Sequence, residues 1–115
     1  MARGAVLAFC IALMTGPAQA ACRLALALGL DVSGSVDAQE YRLQLDGVAS
    51  ALLQPDVQGA IFGMPGAHVT LAVYQWGAAD QQSALLGWTD LRTPEDVASA
   101  ARTLRAANST KAPGP

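Results

Sequence analysis

An uncharged apolar segment that ends in a polar turn constrains the fold of this chain more than any other feature. Residues 24–30 read LALALGL, and the sequence Asp-Val-Ser-Gly-Ser follows at residues 31–35. Composition alone fits a helix or a strand. The short length of the segment and the turn-forming residues after it favour a strand that is buried on both faces of a sheet.

Two amphipathic helices are predicted from their capping residues and apolar spacing. Residues 37–53 begin with a capping-box pair, Asp37 and Glu40. The second helix has Thr93 as its N-cap and Pro94 in its first position. The residues expected to form the two apolar faces are Tyr41, Leu45, Val48 and Leu52 in the first helix, and Val97, Ala100, Ala101 and Leu104 in the second.

Between these helices, residues 68–76 and 82–88 are rich in β-branched and aromatic types and are predicted to form a hairpin. A short helical turn is expected over residues 56–62. The order is therefore β-α-β-β-α, which is typical of an α/β fold with a parallel strand pair. Trp76 and Trp88, which flank the predicted hairpin, are expected to be packing anchors and not a binding platform.

The N-terminus has the organisation of a secretory signal peptide. Arg3 precedes an apolar run, and Ala18-Gln-Ala20 is a small-x-small cleavage site. The run is shorter than the roughly 20 residues that a transmembrane anchor needs. Cleavage after residue 20 leaves a single-domain product with Cys22 as its one thiol, and a lipid-modified Cys22 is the alternative to an unpaired or externally paired thiol.

Composition and charge exclude two classes of protein. Hydrophobic residues make up 52% of the chain and charged residues 14%, which is too apolar for a disordered protein. Seven basic residues against nine acidic ones leave no basic surface for a nucleic acid. We therefore expect an exported domain, periplasmic or extracellular, with no nucleic-acid partner and no stable membrane span after cleavage.

The turn at residues 31–35 contains the one candidate site. Asp31, Ser33 and Ser35 alternate after the apolar strand and offer hard oxygen ligands, which suit Mg²⁺, Ca²⁺ or Mn²⁺. Gly34 is expected to let the backbone turn tightly. An ordinary polar turn before a helix is the alternative, because serine and aspartate are common capping residues.

This turn resembles the D-x-S-x-S signature of von Willebrand factor A-like domains, which contains their metal-ion-dependent adhesion site. Residues 22–108 are similar to the first half of an uncharacterised family of bacterial exported proteins with this domain. The resemblance is carried by LALALGLDVSGSVDAQEYRLQLDG, VTLAVYQWG and GWTDLRTPEDVA.

The resemblance implies a partial doubly wound, Rossmann-like sheet and a Mg²⁺ ion bound by Asp31, Ser33, Ser35 and a threonine, for which Thr110 is the candidate. A carboxylate of a partner protein completes the metal shell in many members. The family's last aspartate follows a later strand that this chain lacks. Residues 21–110 are therefore expected to form an incomplete domain with weak metal binding, and residues 111–115 a disordered tail.

Enzymatic functions are disfavoured by the motifs. No G-x-S-x-G, G-x-G-x-x-G or P-loop sequence is present, and His68, the only histidine, has no evident orienting carboxylate or neighbouring thiol. The preferred hypothesis is a non-enzymatic, metal-dependent protein-binding module. The alternatives are a truncated or frame-shifted fragment with no autonomous function and, remotely, a serine hydrolase.

The resemblance also implies a consequence for solubility. The strand at residues 24–30 is central in the family's sheet, whereas this chain supplies a neighbour on one side only. We expect an open edge, and hence poor solubility, a molten state or oligomerisation of residues 21–115.

Overall fold

The computed structural model describes residues 21–77 and 82–107. The predicted signal peptide, the centre of the hairpin turn, Thr110 and the predicted tail lie outside these residues. The elements are β1 (Ala21–Asp31), α1 (Ala38–Leu52), α2 (Pro55–Phe62), β2 (Ala67–Trp76), β3 (Ser83–Leu91) and α3 (Pro94–Ala106). No helix in the described part of the chain is long and apolar enough to cross a membrane.

The three strands form one sheet in the order β1-β2-β3. β1 runs parallel to β2, with Leu24 opposite Val69 and Asp31 opposite Trp76, and β2 runs antiparallel to β3. The predicted crossover, the hairpin and the α/β class are therefore confirmed. The helical turn expected at 56–62 is the helix α2, and β3 extends three residues beyond its predicted end.

One hydrophobic core lies between the helices and one face of this sheet. Val69, Leu71 and Val73 alternate along β2 and face inward, as a half-buried strand requires. The helical residues of the same buried cluster are Tyr41, Leu45, Ala49, Leu52, Ile61, Val97, Ala100, Ala101 and Leu104. The predicted apolar face of α3 is confirmed in full, whereas on α1 Ala49 is fully buried and Val48 only partly.

The predicted capping box of α1 is present, and the predicted N-cap of α3, Thr93, also belongs to a capping box. The Asp37 carboxylate accepts the Glu40 amide at 2.8 Å, and the Glu40 carboxylate accepts the Asp37 amide at 2.9 Å. Thr93 and Asp96 make the same exchange at the start of α3. Hydrogen bonds from the amides of Arg92 and Thr93 hold the pKa of Asp96 below its usual value. These reciprocal bonds fix where each helix begins.

The expectation that β1 is buried on both faces is wrong, because most of its residues are exposed among the described parts of the chain. Leu24 and Leu26 remain 44% and 38% exposed, and only Leu30 at the far end is buried. The described helices bury β2 more completely than β1, of which only Leu30 is buried. An apolar sequence is compatible with a buried strand, but it does not show that other elements of the fold cover that strand. The expected open edge is confirmed for the described residues, and its effect on solubility stays a prediction.

The second face of the sheet has no helix over it in the described part of the chain. Tyr74, Trp76 and Trp88 lie on exposed positions there, so neither tryptophan is buried as the expected packing anchors would be. The Tyr74 ring lies across Gly29 instead, since a Cβ atom at position 29 would be 2.8 Å from Tyr74 Cζ. The absence of a side chain at Gly29 thus lets an aromatic ring lie over β1.

Truncating Leu45 should destabilise the protein by about 2–5 kcal/mol, because this side chain is fully buried and its removal leaves a cavity. Leu43 on the same helix is 64% exposed, and Leu43→Ala should cost less than about 0.5 kcal/mol. Urea denaturation at one fixed protein concentration compares the two variants. Equal losses of stability would contradict the assignment of the core face of α1.

Replacing Gly47 by alanine should raise the free energy of unfolding by about 1 kcal/mol, the helix-propensity difference. Gly47 lies inside α1, and a Cβ atom there would meet nothing within 4 Å. Gly63→Ala is the contrasting variant, because its Cβ would lie 2.8 Å from the Gly59 carbonyl oxygen and should destabilise. A destabilising Gly47→Ala, measured in the same urea titration, would mean that something packs against this position.

Candidate functional site

The candidate site lies where β1 ends and α1 begins. The Val32 amide donates to the Trp76 carbonyl at 2.8 Å, and Val32 is buried, so the chain remains attached to β2 as it leaves the sheet. The Val36 amide then donates to the Ser33 carbonyl at 3.0 Å and closes a turn. Asp37 caps α1 immediately afterwards. The turn is therefore held between a strand end and a helix start.

The structure brings together the three predicted ligands that it describes. Asp31 Oδ1 accepts the Ser33 amide at 2.7 Å, and the Ser33 and Ser35 hydroxyl oxygens are 3.4 Å apart. The conformation does not depend on Gly34, contrary to our expectation, because its φ is not positive and a Cβ there would meet nothing within 4 Å. The carboxylate at the strand end and two hydroxyls on the turn thus form one cluster of oxygen atoms.

Side chains of α1 form hydrogen bonds with the strand ends next to this turn. Gln44 Nε2 donates to the Asp31 carbonyl at 2.9 Å. The Tyr41 hydroxyl donates to Gln75 Oε1 at 2.8 Å inside the core, and burial raises the pKa of Tyr41. The two bonds join α1 to the C-terminal ends of β1 and β2, so the positions of Asp31 and α1 are coupled.

A bound divalent cation sets the distance between the oxygen atoms that coordinate it. Adjacent oxygen ligands of an octahedral cation lie about 2.8–3.4 Å apart when the metal–oxygen distances are about 2.0–2.4 Å. The 3.4 Å between Ser33 Oγ and Ser35 Oγ falls at the upper end of this range. The donor set is all oxygen, as Mg²⁺, Ca²⁺ and Mn²⁺ prefer. These residues therefore have the oxygen chemistry of a hard-cation site, and their spacing matches the longer metal–oxygen distances of Ca²⁺ more closely than those of Mg²⁺.

The same cluster supplies only one carboxylate. Across residues 21–77 and 82–107, no group of three or more His, Cys, Asp or Glu side chains is placed to hold a metal ion. A cation at the turn would depend on neutral hydroxyls and water for most of its ligands. Thr110, the fourth predicted ligand, lies outside the described residues.

A second polar cluster, which sequence analysis missed, lies at the opposite end of the sheet. His68 is buried, and its Nε2 atom lies 3.2 Å from Asp90 Oδ1, so the expectation that it lacks an orienting carboxylate is wrong. Arg92 also donates to Asp90 at 3.0 Å, and this bond is the main cause that lowers the pKa of Asp90. Cys22 is the register partner of His68 on β1, contrary to the expectation of no neighbouring thiol.

The residue pairing between the two predicted hairpin strands could have revealed this cluster. Asp90 lies opposite Thr70, and Thr70 follows His68 by two residues. The side chains of His68 and Asp90 are therefore diagonal neighbours on the sheet. The predicted end of β3 at residue 88 excluded Asp90 from this pairing. His68 Nδ1 is buried and has no hydrogen-bond partner among the described residues.

The two clusters are too far apart to act together. His68 and Trp76 are eight residues apart on β2, roughly 26 Å at the rise of a strand, and Trp76 lies opposite Asp31. His68 is the only histidine in the sequence. It therefore cannot act as the general base for Ser33 or Ser35 within one chain.

Comparison with known proteins identifies one family. No curated protein and no solved structure gave a significant match. The model of one protein family matches residues 21–114, which includes every described helix and strand. The chain therefore belongs to the family described as "Protein of unknown function (DUF1194)".

Proposed function

We propose that this protein is an exported, metal-ion-dependent protein-binding module of the von Willebrand factor A-like type. Asp31, Ser33 and Ser35 bind a divalent cation, Mg²⁺ or alternatively Ca²⁺ or Mn²⁺. The observation that carries the proposal is the cluster of one carboxylate and two hydroxyls at a strand-to-helix turn. It lies at the carboxyl ends of the parallel strands β1 and β2, where ligands of α/β sheets bind.

Each of the three residues has a distinct role in this proposal. Asp31 supplies the negative charge that offsets the cation, while its bond to the Ser33 amide fixes its orientation. Ser33 and Ser35 supply neutral oxygens. Because the turn carries a single carboxylate, the bound cation keeps a net positive charge, which favours an acidic side chain of a partner protein as a further ligand.

Two surfaces of the sheet bear on this proposal. In the described part of the chain, one face of the sheet has no helix over it, and the outer edge of β1 has no strand beside it. The alternative is a truncated or frame-shifted fragment with no autonomous function. The coding sequence downstream distinguishes the two: an in-frame continuation with more strands and a further aspartate supports the module, and a continuation in another frame supports the fragment.

The serine hydrolase hypothesis is not favoured. Its base would have to be His68, which lies roughly 26 Å along the sheet from the turn that contains both serines. The pairing of His68 with Asp90 supports a structural role at the other end of the sheet.

The 115-residue chain should bind Mg²⁺ weakly or undetectably in isothermal titration calorimetry, because a hard cation with few protein ligands keeps its water. A longer product with the in-frame continuation should bind measurably. In that product, Asp31→Asn should abolish binding while it keeps an oxygen for the Ser33 amide, and Ser33→Ala and Ser35→Ala should weaken binding to a smaller extent.

Asp56→Asn provides the matched control, because Asp56 is an exposed carboxylate at the start of α2, away from the candidate site at residues 31–35. Its binding should equal that of the unmodified protein. Tight binding to the short chain that survives Asp31→Ala would show that the site is placed wrongly. Absence of binding in both lengths of the protein would refute the metal-dependent function.

Export should remove residues 1–20, so the mature protein should begin at Ala21. The family match that starts at residue 21 supports this cleavage point. N-terminal sequencing and intact mass of the exported protein provide the test. An exported product that begins at Met1 would contradict the signal peptide, and one that begins at a lipid-modified Cys22 would identify a lipoprotein instead.

A further inference from the structure

Cys22 and His68 form a pair of metal-ligating side chains that the proposed function does not use. They are register partners at the start of the parallel strands β1 and β2. Neighbouring strands lie about 4.8 Å apart, and register partners on parallel strands direct their side chains to the same face of the sheet. Cys22 is a free thiol. His68 is only 8% exposed, although it lies on the face of the sheet opposite to the main core.

The bond between His68 and Asp90 selects the ring nitrogen that is available to a ligand. His68 Nε2 lies 3.2 Å from Asp90 Oδ1. A neutral imidazole that donates from Nε2 keeps a lone pair on Nδ1. That Nδ1 atom is buried and has no hydrogen-bond partner in the described parts of the chain. A ring that donates one N–H to a carboxylate and presents its other nitrogen as a lone pair has the arrangement of a metal-ligating histidine.

The thiol of Cys22 is directed toward the strand that contains His68. Cys22 Sγ lies 3.5 Å from the Leu24 carbonyl oxygen. The Val32 amide donates to β2, and the direction of backbone groups alternates along a strand. The Leu24 carbonyl, at an even separation from Val32, is therefore also directed to β2. The thiol thus leans into the space between the two strands.

The donor atoms identify the class of metal. Thiolate sulfur and imidazole nitrogen are soft or intermediate ligands, which suit Cu⁺ and Zn²⁺ and not Mg²⁺. Structural Zn²⁺ sites use a full tetrahedral set of protein ligands. Among residues 21–77 and 82–107, no third His, Cys, Asp or Glu side chain completes such a set with this pair. Cu⁺ accepts fewer ligands than Zn²⁺, and thioether sulfur is one of them.

A thioether is present at the same end of the sheet. Met64 and His68 both line a cavity of about 220 Å³ between the end of α2 and the strands. Arg92 lines this cavity as well, and its bond of 3.0 Å to Asp90 leaves the two charges neutralised. Cu⁺ on a thiolate has no net charge, whereas a divalent ion would keep a positive charge near the guanidinium. The local charges therefore favour the monovalent ion.

We propose that Cys22 Sγ and His68 Nδ1 bind one Cu⁺ ion, with Met64 as the candidate third ligand. The thiol releases its proton to solvent when the metal binds. Asp90 is a positioning residue, because it orients the ring through Nε2 and does not touch the metal. This soft-metal site is separate from the oxygen cluster at residues 31–35, and each binds a class of cation that the other does not favour.

Anaerobic competition for Cu⁺ with the chromophoric chelator bicinchoninate tests the proposal. The 115-residue chain with Cys10→Ser is the parent protein. It should bind one Cu⁺ per chain, and Cys22→Ser should abolish this binding. His68→Gln keeps an amide donor for Asp90 but lacks Nδ1, so it should weaken the affinity by about tenfold or more. Asp90→Asn should weaken it to a smaller extent, because the ring loses only its orienting carboxylate.

A displaced thiol is the matched control for binding by any exposed cysteine. Ala27→Cys in the Cys22→Ser background places a thiol on the same face of β1, opposite Ala72 and four positions along β2 from His68. This variant should bind Cu⁺ at least about tenfold more weakly than the parent, because it lacks the imidazole. Equal affinities of the two proteins would overturn the proposal, since the histidine would then contribute nothing.

X-ray absorption at the copper edge gives a second measurement that does not depend on the folding of any variant. The Cu⁺-loaded parent protein should show both sulfur and imidazole nitrogen in the first coordination shell. Coordination by sulfur alone overturns the proposal, and so does a parent protein that loses all of its Cu⁺ to bicinchoninate. An affinity that His68→Gln leaves unchanged, in a variant whose circular dichroism spectrum matches the parent, has the same consequence.

Discussion

The parallel pairing of β1 with β2 is the interaction on which the rest of the structure depends. It continues without a break from Leu24 to Asp31 and is extended by the Val32 amide, which donates to the Trp76 carbonyl. The pairing determines where along the sheet β1 ends, and therefore where the oxygen cluster lies. It also leaves the other side of β1 open among the described residues. The position of the candidate site is thus a result of this strand contact.

The sequence predicted the local elements well because each has its own chemical signature. The reciprocal bonds of Asp37 with Glu40 and of Thr93 with Asp96 are fixed by residues three positions apart. The stripe on α3 follows from a period of 3.6 residues. The grouping of the three turn residues was also predictable, since Asp31, Ser33 and Ser35 lie within five positions of one another.

The features that the sequence did not reveal depend on neighbours that local patterns do not specify. Burial of both faces of β1 requires elements packed over the sheet, and the apolar run contains no information on whether they are present. Trp88 is 62% exposed because its face of the sheet has no described helix over it. His68 lies beside Asp90 because of the register of β2 with β3. The predicted hairpin ended at residue 88 and therefore did not include Asp90.

The central claim is that the turn after β1 binds a hard divalent cation, and paramagnetic broadening by Mn²⁺ tests it most directly. In two-dimensional NMR spectra of the in-frame longer product, low Mn²⁺ should first broaden the amide signals of Ser33, Gly34 and Ser35, and Asp31→Asn should remove this effect. Broadening that begins instead around His68 and Asp90, or that spreads evenly over exposed carboxylates, would contradict the account.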